Sequence, residues 1–259
     1  MTGEGGPPAT VIKIGGSTLG AEDTSLHDVV ALQREGARPV VVHGGGALIS
    51  DWLQRLEIES SFVDGLRSTS LPAMDVVVGV LRGVVNTQLV GEIGALGGRA
   101  VGLSGLDGGM VRAERYDERL GYVGRITGVD TGLLTSLLDA GLIPVIAPIA
   151  LEPPAQPLNI NADTMAGEIA RALDAAELIF LTDVDGLLDG SGAVVEEIDA
   201  QRARALRDEG IVSGGMIPKI DACFRAADVG VASFIVNGTL PNMVRRIVSG
   251  ERAGTRIKG

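Results

Sequence analysis

The sequence holds nineteen arginines but only three lysines, and two of those lysines stand beside glycine-rich turns. Lys13 lies in Val11-Ile12-Lys13-Ile14-Gly15-Gly16-Ser17, and Lys219 closes Ser213-Gly214-Gly215-Met216-Ile217-Pro218-Lys219. An ammonium is a compact point charge that suits phosphate in a tight glycine loop, where a planar guanidinium is too wide. Lys13 sits inside an otherwise apolar run, and a buried unpaired ammonium is costly, so it needs an anionic partner. Gly15 and Gly16 let backbone amides approach an anion closely. Val40-Val41-Val42-His43-Gly44-Gly45-Gly46 places three glycines before a helix, whose free N–H groups and positive end form an anion cradle. His43 itself reads as structural, satisfying the loop backbone rather than acting as a base.

Two further places carry polar groups. Asn159-Ile160-Asn161-Ala162-Asp163-Thr164 opens a helix, with Asn161 suited to N-cap it and Asp163 to favour its first turn. Capping leaves Asn159 unexplained, so cap and binding site stand equal on local chemistry, and Asp163 can also hold the two lysines. Asp183 and Asp185, in Thr182-Asp183-Val184-Asp185-Gly186, are either turn residues or groups that approach a nucleotide or its magnesium. No GxxxxGK[ST] or GxGxxG occurs, which argues against a P-loop kinase and a dinucleotide-binding enzyme.

These residues need a scaffold. Unalternating Val/Ile-rich runs predict strands at Thr10–Ile14, Pro39–His43, Arg99–Leu103, Leu142–Ile149, Glu177–Thr182 and Val231–Val236. Helical stretches fall between or beyond them at Leu26–Glu35, Ala47–Leu56, Pro72–Leu96, Gly132–Ala140, Thr164–Ala175, Gln201–Arg207, Pro218–Val229 and Pro241–Val248. Alternation of this kind predicts a mostly parallel sheet covered by helices on both faces. Met110–Arg115 and Tyr122–Thr127 predict a hairpin beside it. A soft lobe boundary is placed near Ala175, giving lobes 1–175 and 176–259.

Composition sets outer limits. The 259 residues are 45% hydrophobic and only 3% aromatic, so aliphatic side chains must build the core. A net charge of -11 with no basic run makes nucleic acid an unexpected partner. The lone Cys223 rules out an internal disulfide, fits a reducing compartment and reads as a small core residue. Two histidines and one cysteine offer little for a soft metal. Every long apolar stretch is interrupted by charge or glycine, so no membrane span is expected, and Met1–Thr10 has no signal-peptide core. A cytoplasmic location is the expectation.

Taken in order, the segments resemble the amino acid kinase family from about Val11 to Ile257. The words that carry the resemblance are Lys13-Ile-Gly-Gly, His43-Gly-Gly-Gly, Gly65-Leu-Arg67-Ser-Thr69, Gly102-Leu-Ser-Gly, Asn159-Ile-Asn161-Ala-Asp163, Leu181-Thr-Asp183-Val and Gly214-Gly-Met-Ile-Pro-Lys219. The match points to the branch that phosphorylates the γ-carboxylate of N-acetylglutamate in arginine biosynthesis. It implies an α/β fold, a three-layer αβα sandwich, with acyl amino acid in the N-terminal lobe and ATP in the C-terminal lobe. By the resemblance, Lys13 contacts the phosphoryl group in flight, Lys219 assists the leaving phosphate and Asp163 orients both. Gly15, Gly16, Gly44 and Gly45 supply amides; Arg67 grips the α-carboxylate; Asn159 and Asn161 bind the amino acid. Asp183, Gly214, Gly215 and Met216 contact the nucleotide, whose phosphates hold magnesium, with no protein metal ligand implied.

The acceptor carboxylate is ionised at neutral pH, so the chemistry needs alignment and charge rather than a base. Gly102-Leu-Ser-Gly-Leu106-Asp107 is also similar to the relative that phosphorylates carrier-bound aminoadipate in lysine synthesis; a chain at -11 is poorly matched to an acidic carrier. A non-catalytic ligand-binding protein on the same fold is a further alternative, which loss of either lysine or Asp163 would have favoured. The resemblance also bears on assembly. Arginine-inhibited members carry an extra N-terminal helix that makes a hexamer, and the Gly/Pro-rich first ten residues oppose such a helix. The expectation is a homodimer that arginine does not inhibit, with Pro72–Leu96 standing equally as a two-fold contact or a core helix.

Overall fold

The computed structural model describes residues 6–15, 24–63 and 65–258. The N-terminal stretch contains β1 (Ala9–Ile14), α1 (Ser25–Arg34), β2 (Arg38–His43), α2 (Gly46–Arg55), β3 (Phe62–Val63) and β4 (Leu66–Arg67). A long helix follows as α3 (Leu71–Val78), a π-helical segment (Gly79–Val85) and α4 (Asn86–Ala95). Next come β5 (Ala100–Ser104), β6 (Val111–Arg115), β7 (Gly124–Val129), α5 (Gly132–Asp139), β8 (Ile143–Ala147), β9 (Ile149–Glu152), β10 (Gln156–Asn159) and α6 (Ala162–Ala172). The chain ends with β11 (Glu177–Thr182), β12 (Glu197–Ile198), α7 (Ala200–Asp208), α8 (Met216–Ala227), β13 (Ala232–Asn237), α9 (Met243–Val248) and β14 (Thr255–Ile257).

Eight strands form one sheet in the order β12-β14-β13-β11-β1-β2-β8-β5. It is parallel throughout except where β14 runs against β13. The sheet is continuous across Ala175, because β11 pairs directly with β1. Side chains alternate between faces along each strand. Val11 therefore joins the cluster formed with α5, α6 and α8, whereas Ile12 and Ile14 join the one formed with α1, α4 and α9. Two helical layers thus sandwich the sheet, as the alternation of elements predicts. Fully buried Phe180 and Ile12 are among its largest core side chains, each burial stabilising by roughly 1.5–3 kcal/mol.

Three differences from the sequence reading have local causes. The expected strand Leu142–Ile149 divides at Pro148, which has no N–H for a ladder; β8 stays in the main sheet while β9 enters another. The expected hairpin forms as β6 and β7, but β9 and β10 extend it to four strands. The expected helix at Pro241 starts at Met243, after Asn242 takes a left-handed φ of 58°. The helix Leu71–Ala95 has the length and hydropathy of a membrane span. Here it carries Asp75, Arg82 and Glu92, and it buries Ala73, Met74, Val77, Leu81 and Ile93 as a core helix.

Candidate functional site

Lys13 faces the same side of the sheet as Val11 and Phe180, toward α6 and α8. Asp163 lies in the first turn of α6 and Lys219 in the first turns of α8. Lys13 Nζ sits 2.9 Å from Asp163 Oδ1, and Lys219 Nζ sits 3.1 Å from Asp163 Oδ2. Lys219 also lies over the Phe180 ring, 5.0 Å from its centroid. The two helices come close because residue 167 has no side chain: a Cβ there would be 2.8 Å from the Ala222 Cβ. Gly167 is one turn from Asp163 and Ala222 nearly one turn from Lys219, so this crossing sets the ion pair.

The cluster's electrostatics are asymmetric. Burial pushes the Asp163 carboxyl up, but Lys13 and Lys219 outweigh it and hold the group below the usual aspartate range. Burial pulls the Lys219 ammonium down, Asp163 holds it up, and Lys13 pushes it down again. Asp163 therefore has two partners, whereas Lys219 shares one carboxylate with a second cation. Two ammoniums and one carboxylate leave a surplus positive charge at the C-terminal edge of the sheet, where open parallel sheets bind ligands.

The glycine turn after β2 adjoins this cluster. Gly44 N–H donates to the carbonyl of Ile14 at 3.0 Å, tying the turn to the end of β1. Gly44, Gly45 and Gly46 line a cavity of about 180 Å3 together with Arg67, Asn159 and Asn161. Asn161 caps α6, its Oδ1 accepting from the N–H groups of Asp163 and Thr164, each at 3.0 Å. It therefore acts as cap and cavity wall at once. Asn159 Nδ2 donates to Thr69 Oγ1 at 3.1 Å.

Arg67 belongs to the short strand β4, and its side chain is nearly buried. Its Nη2 donates to Ser50 Oγ at 2.7 Å and to the Gly46 carbonyl at 2.9 Å. Its Nη1 donates to Ser60 Oγ at 3.0 Å, and the guanidinium stacks 4.6 Å from the Phe62 ring centroid. Burial lowers its pKa from the ordinary arginine value. Sequence reasoning missed Ser50, Ser60 and Phe62, and named Thr69 only within its motif. The one available signal was Ser50, a turn after Gly46 on the helix that the glycine turn opens.

The residues expected at the nucleotide are not gathered around this cavity. Asp183 is exposed at the end of β11, where it accepts from Thr182 Oγ1 at 3.2 Å. Gly214 and Gly215 are exposed ahead of α8, and Met216 is its first residue. Gly15 follows β1, and Gly16 lies outside the described residues. Asp185 is taken by Asn237 Nδ2 at 2.7 Å. His43 is buried and bonded to loop backbone, as the sequence reading holds. Cys223 is a core residue of α8 whose thiol burial pushes strongly upward. Among the described residues no group of three or more His, Cys, Asp or Glu is placed to hold a metal ion.

Comparison with known proteins fits this geometry. The model of the amino acid kinase family matches residues 8–237. An acetylglutamate kinase from Dehalococcoides mccartyi (strain ATCC BAA-2266 / KCTC 15142 / 195) is 41% identical over 96% of this chain and 94% of its own length. Another, from Synechococcus sp. (strain RCC307), is 45% identical over 96% of this chain and 87% of its own. The crystal structure of smu.665 from Streptococcus mutans UA159 superposes with a TM-score of 0.84 at 30% identity, covering 96% of this chain and 98% of that one. Carbamate kinase from Giardia lamblia bound to AMP-PNP shares the fold, with a TM-score of 0.69 at 18% identity over 97% of this chain and 99% of its own. The chain belongs to the amino acid kinase family, in its acetylglutamate kinase branch.

Proposed function

We propose that this chain transfers the γ-phosphoryl group of ATP to the γ-carboxylate of N-acetyl-L-glutamate, forming an acyl phosphate in arginine biosynthesis. The observation that carries this is the Lys13–Asp163–Lys219 cluster, with its surplus positive charge beside a glycine turn and an arginine-lined cavity. The names of the relatives supply the substrate. In this reading Arg67 pairs with the α-carboxylate, and Asn159 and Asn161 face the rest of the amino acid. A carboxylate oxygen attacks the γ-phosphorus, and the bond to the ADP oxygen breaks with its electron pair. No proton moves, since the attacking group is already ionised.

Lys13 and the amides of Gly44 and Gly45 neutralise charge that builds on the transferring group, and Lys219 does so on the leaving phosphate. One such preorganised donor is worth ~10²–10³ in kcat. Gly15, Gly16, Asp183 and the turn Gly214–Met216 contact the nucleotide, which divides the work between lobes 1–175 and 176–259. Magnesium enters as part of the nucleotide, since both Asp163 oxygens already face lysines. The protein works in the cytoplasm as a homodimer joined through the exposed side of Leu71–Ala95, without nucleic acid or membrane partners; light scattering at the monomer mass would contradict the dimer.

The Gly102 motif lends no separate support to an aminoadipate substrate. Its carbonyl accepts from Arg82, its bare Cα faces Asn86, and Gly102 is not among the residues that line the cavity. The test is ATP turnover with N-acetylglutamate, glutamate, aspartate and aminoadipate derivatives, with the acyl phosphate trapped by hydroxylamine as a hydroxamate. Hydroxamate formed only from a substrate other than N-acetylglutamate would overturn the assignment.

A further inference from the structure

The chemistry above leaves His43 without a task, although it is fully buried beside the site. Its Nδ1 lies 2.8 Å from the carbonyl oxygen of Gly44, and its Nε2 lies 3.1 Å from Asn86 Nδ2. A carbonyl only accepts, so Nδ1 carries the proton. Asn86 is itself oriented: its Nδ2 donates to the Val145 carbonyl at 2.8 Å, and its Oδ1 accepts from Arg82 Nη1 at 3.1 Å. Nε2 must then accept. These partners leave a single tautomer, the neutral imidazole protonated at Nδ1.

The same network reaches the Gly102-Leu-Ser-Gly word. Arg82 Nη2 donates to the Gly102 carbonyl at 2.9 Å, and its guanidinium faces Asp107 at 3.9 Å. Asp107 in turn accepts from the N–H and hydroxyl of Ser104, at 2.6 and 2.9 Å. Arg82 and Leu81 both belong to the π-helical segment, a form often found at functional sites. Leu81 packs against the glycine turn, since a Cβ on Gly45 would lie 2.7 Å from its Cδ2. The segment therefore touches the turn through packing on Gly45 and, one residue on, through Asn86 and His43 on Gly44.

We infer that His43, held by Asn86, is a positioning residue for the phosphoryl cradle. Its Nδ1–H fixes the Gly44–Gly45 peptide. The Gly45 N–H points opposite to the Gly44 carbonyl across that trans peptide, so its direction is fixed as well. Burial drives the His43 pKa down to about 4, against the upward pull of the Gly44 bond and with a further downward push from Arg82. The imidazole is neutral at pH 7 and, with both nitrogens engaged, serves no proton transfer. The inference rests on the reading of Gly44 and Gly45 as the amides that meet the transferring group.

The test begins with turnover of N-acetylglutamate by the unaltered chain, whose failure would sink that reading of the site and leave the imidazole network to the spectrum below. H43N keeps a side-chain amide near the position of Nδ1, able to donate to Gly44. H43Q carries its amide one carbon further, at the Nε2 end toward Asn86, and leaves the Nδ1 position facing Gly44 without a donor. H43Q should lose ~10-fold or more in kcat, with KM for N-acetylglutamate within ~3-fold, and H43N should recover most of that loss. Equal losses in the two variants would indicate packing alone and overturn the inference; so would full activity in H43Q. A second measurement is independent of folding by either variant. Replacing exposed His27 by Gln leaves His43 as the sole histidine. Its long-range proton–nitrogen spectrum at neutral pH should show Nδ1 protonated and Nε2 bare. An Nε2–H tautomer or an imidazolium would equally overturn the inference.

Discussion

Replacing Asp163 by Asn keeps the shape of the side chain and removes the negative charge between two nearly buried ammoniums. The lysine nitrogens lie 2.9 and 3.1 Å from its two oxygens. At an effective dielectric constant of 20, each attraction at ~3 Å is about 5 kcal/mol, most of it offset by desolvation of the ions. What the substitution exposes is the part that was offset: two cations facing a neutral amide. Breaking a buried pair in this way costs ~3–5 kcal/mol, a large share of the ~5–15 kcal/mol that holds a domain folded. The pH dependence follows from Lys219. Burial and Lys13 push its pKa down, and Asp163 is the main group holding it up. In the variant the folded state sheds this proton at lower pH than the unfolded chain does. The unfolded chain then binds more protons, so stability rises with pH, and the deficit against wild type shrinks as pH rises toward the ordinary lysine value of 10.5. Native Asp163 gives a slope of the same sign in a more acidic window: its depressed pKa gives stability that is complete above the aspartate value of 3.8 and lost as pH falls below it. Denaturant unfolding followed by circular dichroism across this range measures both. A variant as stable as wild type at pH 7, or one whose deficit grows toward pH 10, would refute the account of the cluster.

Lys13→Arg and Lys219→Arg keep the charge but not its compactness, and each should lose ~10²-fold or more in kcat with the fold retained; near-normal rates in both would reject phosphate contact. Arg67→Ala should raise KM for the amino acid far more than for ATP, by an amount equivalent to ~1.5–3 kcal/mol for a charge-assisted pair. Equal rises would indicate that Arg67 only braces Ser50, Ser60 and the Gly46 carbonyl. Gly167→Val should overpack the α6–α8 crossing at a cost of ~1–3 kcal/mol and separate Asp163 from Lys219, so kcat should fall even at temperatures where the variant is fully folded. Unchanged turnover at such a temperature would show that the crossing does not set the ion pair.

What the sequence made legible follows from the range over which each signal acts. Lys13 stood out because a charge inside Val-Ile-Lys-Ile has no ordinary place in a buried strand, and that demand for an anion is met by Asp163, 150 residues on. The Asn161 cap was legible because it is local, acting within three residues. Its second role as cavity wall stood equal with the cap on local chemistry, because only the fold shows the glycine turn after β2 lining the same cavity. Arg67 is legible through its motif but its strand is not, because the two-residue β4 is too short to show a period. Ser50, Ser60 and Phe62 converge on Arg67 from different segments, and each alone is an unremarkable residue. The division of Leu142–Ile149 was carried by one proline within an apolar run. Asn86 left no trace, since nothing local distinguishes an Asn that meets His43 across the fold from one on a helix surface.

The lysine economy noted at the outset then has a physical sense. The chain carries a net charge of -11, so its overall field does not steer anionic substrates toward it. Attraction must come from short-range groups that are desolvated and fixed before the substrate arrives. The cluster supplies this by being incompletely balanced: Asp163 is held charged by two partners, while Lys219 is pressed toward neutrality by burial and by Lys13. In the proposed function, a phosphate oxygen reaching Lys219 would offset both pressures, so part of the binding free energy would be the release of a tension built into the fold. An arginine in either place could not be pressed this way, because guanidinium holds its proton and spreads its charge over a fork too wide for the glycine turns. On that proposal, a carboxylate flanked by two lysines trades some stability of the empty protein for affinity toward the group to be transferred, with the crossing at Gly167 holding the pair at a fixed distance.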